Sequence, residues 1–248
     1  MSSRMDLQGQ TVLVTGGAKR VGRAIVLEVA EAGANVVVHC RSSHAEAVTT
    51  CEMARSFGVR AGVVVGDLGD AAEVRRVGEE ALATFGKLDA LVNSASIFLH
   101  TPIEMLSTEQ WDRTMSVNLK GPFLLALQLG RAMQAGGGGA IVNIADWAAI
   151  RPYREYLPYC VSKAGVVSMT IGLAKALAPK VRVNCVAPGP VMPPESYTDE
   201  ERNELVQRTP LKRLGSPQDV ARMVRFLIAE AEFSTGGVYL VDGGRLNA

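Results

Sequence analysis

The chain of 248 residues has only four cysteines, Cys40, Cys51, Cys160 and Cys185, and none sits in a Cys-x-x-Cys pair or a Cys/His ligand spacing. That excludes a zinc ribbon and a dithiol redox motif, and a chain of this size does not depend on disulfides. Buried free thiols in a reducing compartment are expected, with no metal site. An excess of one charge is also missing: 26 Lys and Arg face 25 Asp and Glu, a formal net charge of +1. Without a broad electrostatic field, nucleic acid and membrane surfaces are not expected partners. No window approaches about 18 uninterrupted apolar residues, and the opening MSSRMDLQGQ has no apolar stretch long enough for a signal peptide. A soluble, cytoplasmic protein is expected. No internal repeat or low-complexity tail competes with one domain over residues 1–248.

Hydrophobic residues make up 48% and charged residues 21%, enough to fill a sizeable core. Short β-branched runs at residues 11–15, 35–39, 61–65, 90–93, 140–144, 182–186 and 238–241 alternate with helical periodicity at 21–31, 45–57, 71–85, 108–133, 156–177 and 218–229. This alternation predicts an α/β fold: one Rossmann-type, doubly wound parallel sheet of about seven strands with helices on both faces. Ser216-Pro217 reads as a cap followed by proline at the first helical position, and the glycine run 136–139 as a flexible connector. A proline-rich segment, 188–194, and the polar stretch 195–208 follow the sixth strand. Ligands of open α/β sheets bind at the carboxyl ends of strands, so residues 188–208 are a candidate substrate lid.

The first strand runs into Thr15-Gly16-Gly17-Ala18-Lys19-Arg20-Val21-Gly22 and then a helix, the context a dinucleotide-binding turn requires. Glycines permit close approach of backbone to phosphate, and the helix presents its amide-rich end there. The second strand ends at His39-Cys40-Arg41-Ser42, where an NAD enzyme carries an acid for the ribose. No acid is present. Arg41 can pair with a 2′-phosphate and Ser42 can donate to it, while Lys19 and Arg20 add positive charge. NADP(H) is the expected cofactor; a solvent-facing Arg41 is the alternative.

Tyr159 and Lys163, four residues apart in a helical pattern, project from one face. An ammonium beside a phenol lowers its pKa from about 10 and lets it exchange protons near neutrality. The pair alone fits an exposed helix face equally well. With Thr15-Gly16 through Gly22, Asp67-Leu68, Asn93-Ser94-Ala95, Asn118, Pro188-Gly189 and the terminal Val241-Asp242-Gly243-Gly244, however, the chain resembles the short-chain dehydrogenase/reductase family over essentially its whole length. The resemblance implies that Asp67 and Leu68 border the adenine and that Asn93 and Ala95 support the sheet edge near the cofactor. It places Pro188 and Gly189 by the nicotinamide, and Val191, Val21 and His39 with Gly16 among the cofactor contacts. Lys163 would also hold the nicotinamide ribose. Asn118 would maintain a kinked helix and a water between Lys163 and solvent, and the family implies a homotetramer.

Three departures from the common family pattern narrow the substrate. Arg20 stands in place of the turn's second glycine, Asp146 stands thirteen residues before Tyr159 in place of the usual serine, and Ser96 and Phe98 follow the fourth strand. In all three the chain is similar to the pteridine-reductase branch, whose Ser and Phe contact the pterin. The chemistry agrees. A serine hydroxyl donates to the developing oxyanion of a carbonyl, whereas an ionised carboxylate repels it. A pterin instead offers N–H donors to Asp146, and its C=N bond needs a hydride and a proton. Residues 141–151 hold no Ser or Thr that restores the donor. A protonated Asp146 in an apolar pocket is the other way to donate.

Asn118, Asp146, Tyr159 and Lys163 are thus the candidate catalytic residues, and Arg20, Ser96, Phe98, Asp146 and Tyr159 the candidate substrate contacts. Phe98 can stack on an aromatic substrate or serve as core. Trp147 reads as packing beside the strand end, Cys160 as packing rather than a nucleophile, and Met192 and Tyr197 as positional candidates on the lid. Residues 245–248 can approach a neighbouring subunit's cleft. The expected function is NADPH-dependent reduction of a pterin-like C=N bond. Carbonyl reduction, as of a 3-oxoacyl thioester, and non-catalytic NADP(H)-binding regulation are the alternatives.

Overall fold

Seven runs of Val, Ile, Leu and Ala pair into one parallel sheet: β1 (Thr11–Val14), β2 (Asn35–Cys40), β3 (Ala61–Val65), β4 (Ala90–Asn93), β5 (Gly139–Ile144), β6 (Val181–Pro188) and β7 (Val238–Val241). The spatial order is β3-β2-β1-β4-β5-β6-β7. The computed structural model describes residues 7–193 and 197–247. The chain start through residue 6, residues 194–196 of the candidate lid, and Ala248 lie outside the described residues. Both faces of the sheet are covered, so β1 and β2 are buried throughout and read as continuous apolar runs. Val12, Val14, Val36 and Val38 face α1 (Arg20–Glu31), α2 (His44–Arg55) and α8 (Pro217–Ala229). Leu13, Val37, Leu91 and Ile141 face α3 (Ala71–Phe85), α5 (Gly121–Ala135) and α6 (Leu157–Leu177). By composition α6 is long and apolar enough to cross a membrane, yet here it packs against β6 as a core helix.

The strand order reverses between β1 and β4, which opens a crevice at their carboxyl ends. Thr15 ties the two sides together: its hydroxyl donates to Val92 O at 3.3 Å and accepts from the backbone N–H groups of Ser94 and Ala95, both at 3.0 Å. The sheet centre is crossed by a buried polar ladder in which Asn93 donates to Asn143 Oδ1 at 2.9 Å and Asn143 donates to Thr170 on α6 at 2.9 Å.

Two segments differ from the sequence expectation. The single helix expected over 108–133 is α4 (Thr108–Met115) and α5, joined by a π-turn at Ser116–Lys120. Pro122 has no N–H to return to the carbonyl of Asn118, and the start of α5 lies so close to the loop after β3 that a Cβ on Gly121 would come within 2.1 Å of Leu68 O. The polar stretch after the proline-rich segment contains a helix, α7 (Asp199–Gln207), opened by a capping box between Thr198 and Glu201. The glycine run is a turn that enters β5 at Gly139.

Replacing Thr15 by the isosteric Val removes the shared acceptor of two backbone donors. Thr15→Val is expected to lower unfolding free energy by about 2 kcal/mol, measurable by urea denaturation. No loss would mean that the tie contributes nothing.

Candidate active site

A cavity of about 1080 Å³ runs along the crevice, from Arg41, Ser42 and Ser43 at one end to Asp146, Tyr153 and Tyr159 at the other. At the nucleotide end the turn after β1 is built on close contacts. Gly16 adopts φ 65°, and a Cβ on Gly22 would lie 2.1 Å from Gly16 O. Arg20 carries φ 52°, a left-handed conformation that favours glycine. Its guanidinium donates to Met192 O at 3.0 Å, linking the turn to the segment after β6. α1 begins there with no side-chain cap and no acid in its first turn, so its leading amides are left to a ligand. These features fit a dinucleotide phosphate. Lys19 instead pairs with Glu46 at 2.5 Å, which offsets part of the expected positive charge.

Asp67 and Leu68 line the cavity, and both Asp67 oxygens are held by Arg113 at 3.0 and 2.8 Å. Burial alone would raise the Asp67 carboxyl, but Arg113 and the Gly69 amide outweigh it and hold it below the usual carboxylate range. His39 lines the cavity and also acts as a clamp. Its Nδ1 accepts from Gly16 N at 3.3 Å and its Nε2 lies 3.0 Å from Gly66 O. An amide can only donate and a carbonyl only accept, so the proton sits on Nε2 and the ring is neutral. Burial pushes its pKa down to about 4.

At the other end, α6 presents Tyr159 and Lys163 on one face beneath the end of β5. The Tyr159 hydroxyl donates to Asp146 Oδ2 at 2.7 Å. Asp146 Oδ1 accepts from Ala148 N at 2.8 Å. Burial raises the Asp146 carboxyl above its ordinary range, against the pull of the Ala148 amide, Tyr159 and Lys163. Burial and then the adjacent Asp146 raise the Tyr159 phenol well above its ordinary value, against the lowering that Lys163 alone would give. Lys163 Nζ donates to Ile144 O at 2.8 Å, and burial pushes its pKa down to about 8 despite Asp146. Asn118 lies behind this group within the π-turn. It brackets Ile97, accepting from its N–H at 2.8 Å and donating to its carbonyl at 3.0 Å, and donates to Ser162 at 3.2 Å.

The substrate end is walled by aromatic rings. Phe98 is 45% exposed rather than core, stacks on Tyr156 at 4.1 Å and meets Tyr159 edge-on at 4.6 Å. Gly16, Val21, Ala95, Ser96, Pro188, Gly189, Val191, Met192 and Tyr197 also line the cavity. Asn93 does not, because its side chain is engaged in the buried ladder. Arg245 lies over its own chain's Trp147, 5.6 Å from the ring centroid. Sequence reasoning passed over Arg113, Tyr153 and Tyr156. The signal for the last two was clustering, since three of the chain's five tyrosines fall at 153, 156 and 159.

A family model described as enoyl-(acyl carrier protein) reductase, a short-chain dehydrogenase type, matches residues 16–245. The 3-oxoacyl-[acyl-carrier-protein] reductase FabG of Staphylococcus aureus is 32% identical over 239 residues, covering 95% of this chain and 97% of that protein. A blue fluorescent protein from a metagenomic library, solved with NADPH, shares 34% identity at a TM-score of 0.90, covering 97% and 99%. FolM alternative dihydrofolate reductase 1 from Brucella canis, solved with NADP, shares 34% identity at a TM-score of 0.88, covering 99% and 97%. The chain belongs to the short-chain dehydrogenase/reductase family. It is therefore an oxidoreductase built to use a nicotinamide dinucleotide. Within this short-chain reductase, the Tyr159 hydroxyl donates to the carboxyl of Asp146, at the position where the family resemblance leads one to expect a serine.

The His39 clamp gives this reductase an acid-sensitive element. The unfolded imidazole titrates near 6.5 and the folded one near 4, so between those values the unfolded chain binds a proton that the native state refuses. Stability from this group is complete above pH 6.5 and is lost as pH falls toward 4, by about 3 kcal/mol. Urea unfolding near pH 7 and about pH 4.5 should show that loss, and His39→Gln should flatten it. An identical pH dependence in the variant would assign the acid sensitivity to other groups.

Proposed function

We propose that this short-chain reductase uses NADP(H) to reduce a pterin-like ring at a C=N bond. The observation that carries the proposal is the 2.7 Å bond from Tyr159 to Asp146 Oδ2, at the position where the family resemblance implies a serine hydroxyl. A carboxylate there accepts N–H donors from a substrate edge and repels a developing oxyanion. The exposed Phe98 ring supports a flat aromatic substrate. The likeness to the Brucella canis alternative dihydrofolate reductase supports the same class. For the phosphorylated cofactor, support comes from Arg41 and Ser42 at the end of β2, where no acid opposes a 2′-phosphate.

Bound NADPH supplies the hydride. The protein's own residues manage position and protons. Asp146 Oδ2 accepts from a ring N–H and fixes the edge of the substrate. Tyr159 starts protonated, because burial and Asp146 hold its proton. Once its hydroxyl turns from Asp146 to the substrate nitrogen, it delivers that proton as the C=N bond is reduced. Lys163, whose pKa lies near 8, then returns a proton to the phenolate in the favourable direction. The bracket that Asn118 makes around Ile97 holds the floor of the substrate end in place. Assembly as a tetramer belongs to the same reading, with Phe123 on α5 and Val161 and Ile171 on α6 as exposed apolar residues.

Two variants test it. Asp146→Ser is expected to reduce kcat/KM for a dihydropterin roughly a hundredfold. Unchanged or improved turnover of the dihydropterin would remove the role of Asp146. Arg41→Asp is expected to weaken NADPH binding roughly 10- to 100-fold while sparing NADH, read by nucleotide fluorescence titration. An unchanged preference would show that the 2′-phosphate is held elsewhere.

A further inference from the structure

Trp147 and Tyr153 adjoin Asp146 and have no role in the proton path above. The Trp147 indole N–H donates to the Tyr153 hydroxyl. That hydroxyl lies 3.4 Å from Asp146 Oδ1, a long contact with the geometry of a donor. A phenol carries one proton and accepts through its oxygen, while an indole N–H can only donate. With the indole on its oxygen, Tyr153 has its own proton to give, and Asp146 is the carboxylate within reach. Oδ1 already accepts from Ala148 N at 2.8 Å. Its lone pairs are thus occupied by two donors, and a proton placed on Oδ1 would collide with both. Oδ2, bonded to Tyr159 at 2.7 Å, is the oxygen left with room for a ligand.

The surroundings hold Tyr153 in this orientation. Its ring meets Trp147 edge-on at 5.9 Å and Phe98 edge-on at 6.2 Å, and its backbone N–H donates to Cys160 Sγ at 3.3 Å. We infer that Tyr153, oriented by the Trp147 indole, is a positioning residue that keeps Asp146 an ionised acceptor and leaves Oδ2 for the substrate. The inference rests on the pterin reading only for the identity of that substrate.

Other groups act on Asp146 as well. From α6 come Tyr159, Lys163 and Cys160. Beyond Trp147, the guanidiniums of Arg245 and Arg151 lie 5.6 and 5.9 Å from the indole centroid, and Cys185 of β6 lies beside Lys163. Replacing Tyr153 by Phe removes a hydroxyl that donates to Asp146 and leaves the side chains of Tyr159, Lys163 and the arginines behind Trp147 in the chain.

The test uses Trp111→Phe, which leaves Trp147 as the single tryptophan next to Asp146. Its emission is titrated with pH in the full-length protein, with and without Tyr153→Phe. Loss of the hydroxyl is expected to move the acid-side midpoint up by about half a unit or more, because the carboxylate loses a donor. The acid limb of kcat/KM for NADPH and a dihydropterin should move the same way. An unmoved midpoint, or one displaced to lower pH, overturns the inference. Absence of dihydropterin turnover would instead sink the pterin reading, while the fluorescence midpoint still decides the role of Tyr153. If Tyr153→Phe does not fold, Trp147→Phe removes the orienting N–H and the Asp146 carboxyl NMR shift reads the same midpoint. An upward move again supports the inference, and no move contradicts it.

Discussion

The hydroxyl of Tyr159 gives its hydrogen bond to a half-buried carboxylate, Asp146 Oδ2, at 2.7 Å, and the rest of the site is arranged around that contact. Partly withdrawn from water, Asp146 ionises less readily than a free carboxyl, and its charge in turn makes Tyr159 hold its proton. Lys163 is driven the opposite way by the same burial, to about 8. One desolvated pocket therefore produces a reluctant acid and a ready proton source four residues apart on one helix. That polarity suits adding a proton to a substrate during reduction.

Such a pocket depends on how the sheet is tied at its switch point. Thr15 joins the end of β1 to the chain leaving β4, and His39 joins the phosphate turn to the end of β3. Asn118 pins Ile97, two residues beyond Ala95 and next to Phe98. Through its bond to Ser162, Asn118 thereby fastens the loop carrying the aromatic wall to α6, which carries Tyr159 and Lys163. The left-handed Arg20 reaches across to Met192 and closes the opposite side.

Much of this was legible in the sequence because it rests on periodicity and turn chemistry. The seven strands emerged within a residue or two from their β-branched runs, and Tyr159 and Lys163 from helical spacing. What escaped was tertiary. Continuous apolar periodicity across 108–133 hid the π-turn, which is imposed by Pro122 and by close packing on Leu68. α7 lacks an apolar face, so only the capping box of Thr198 and Glu201 betrayed it. Tyr153 and Tyr156 sit before α6 in irregular chain, where no period announces a role. His39 has a position typical of a nucleotide contact, yet its ring nitrogens are both consumed by backbone partners.

On the proposed reading, Asp146 makes this a site for a ring with N–H donors rather than for a carbonyl that must become an oxyanion. The most direct measurement is NADPH oxidation by the wild-type protein with a dihydropterin and, in parallel, with a 3-oxoacyl thioester, compared as kcat/KM. The account predicts turnover of the dihydropterin and little or none of the thioester. Efficient thioester reduction without dihydropterin turnover would contradict it.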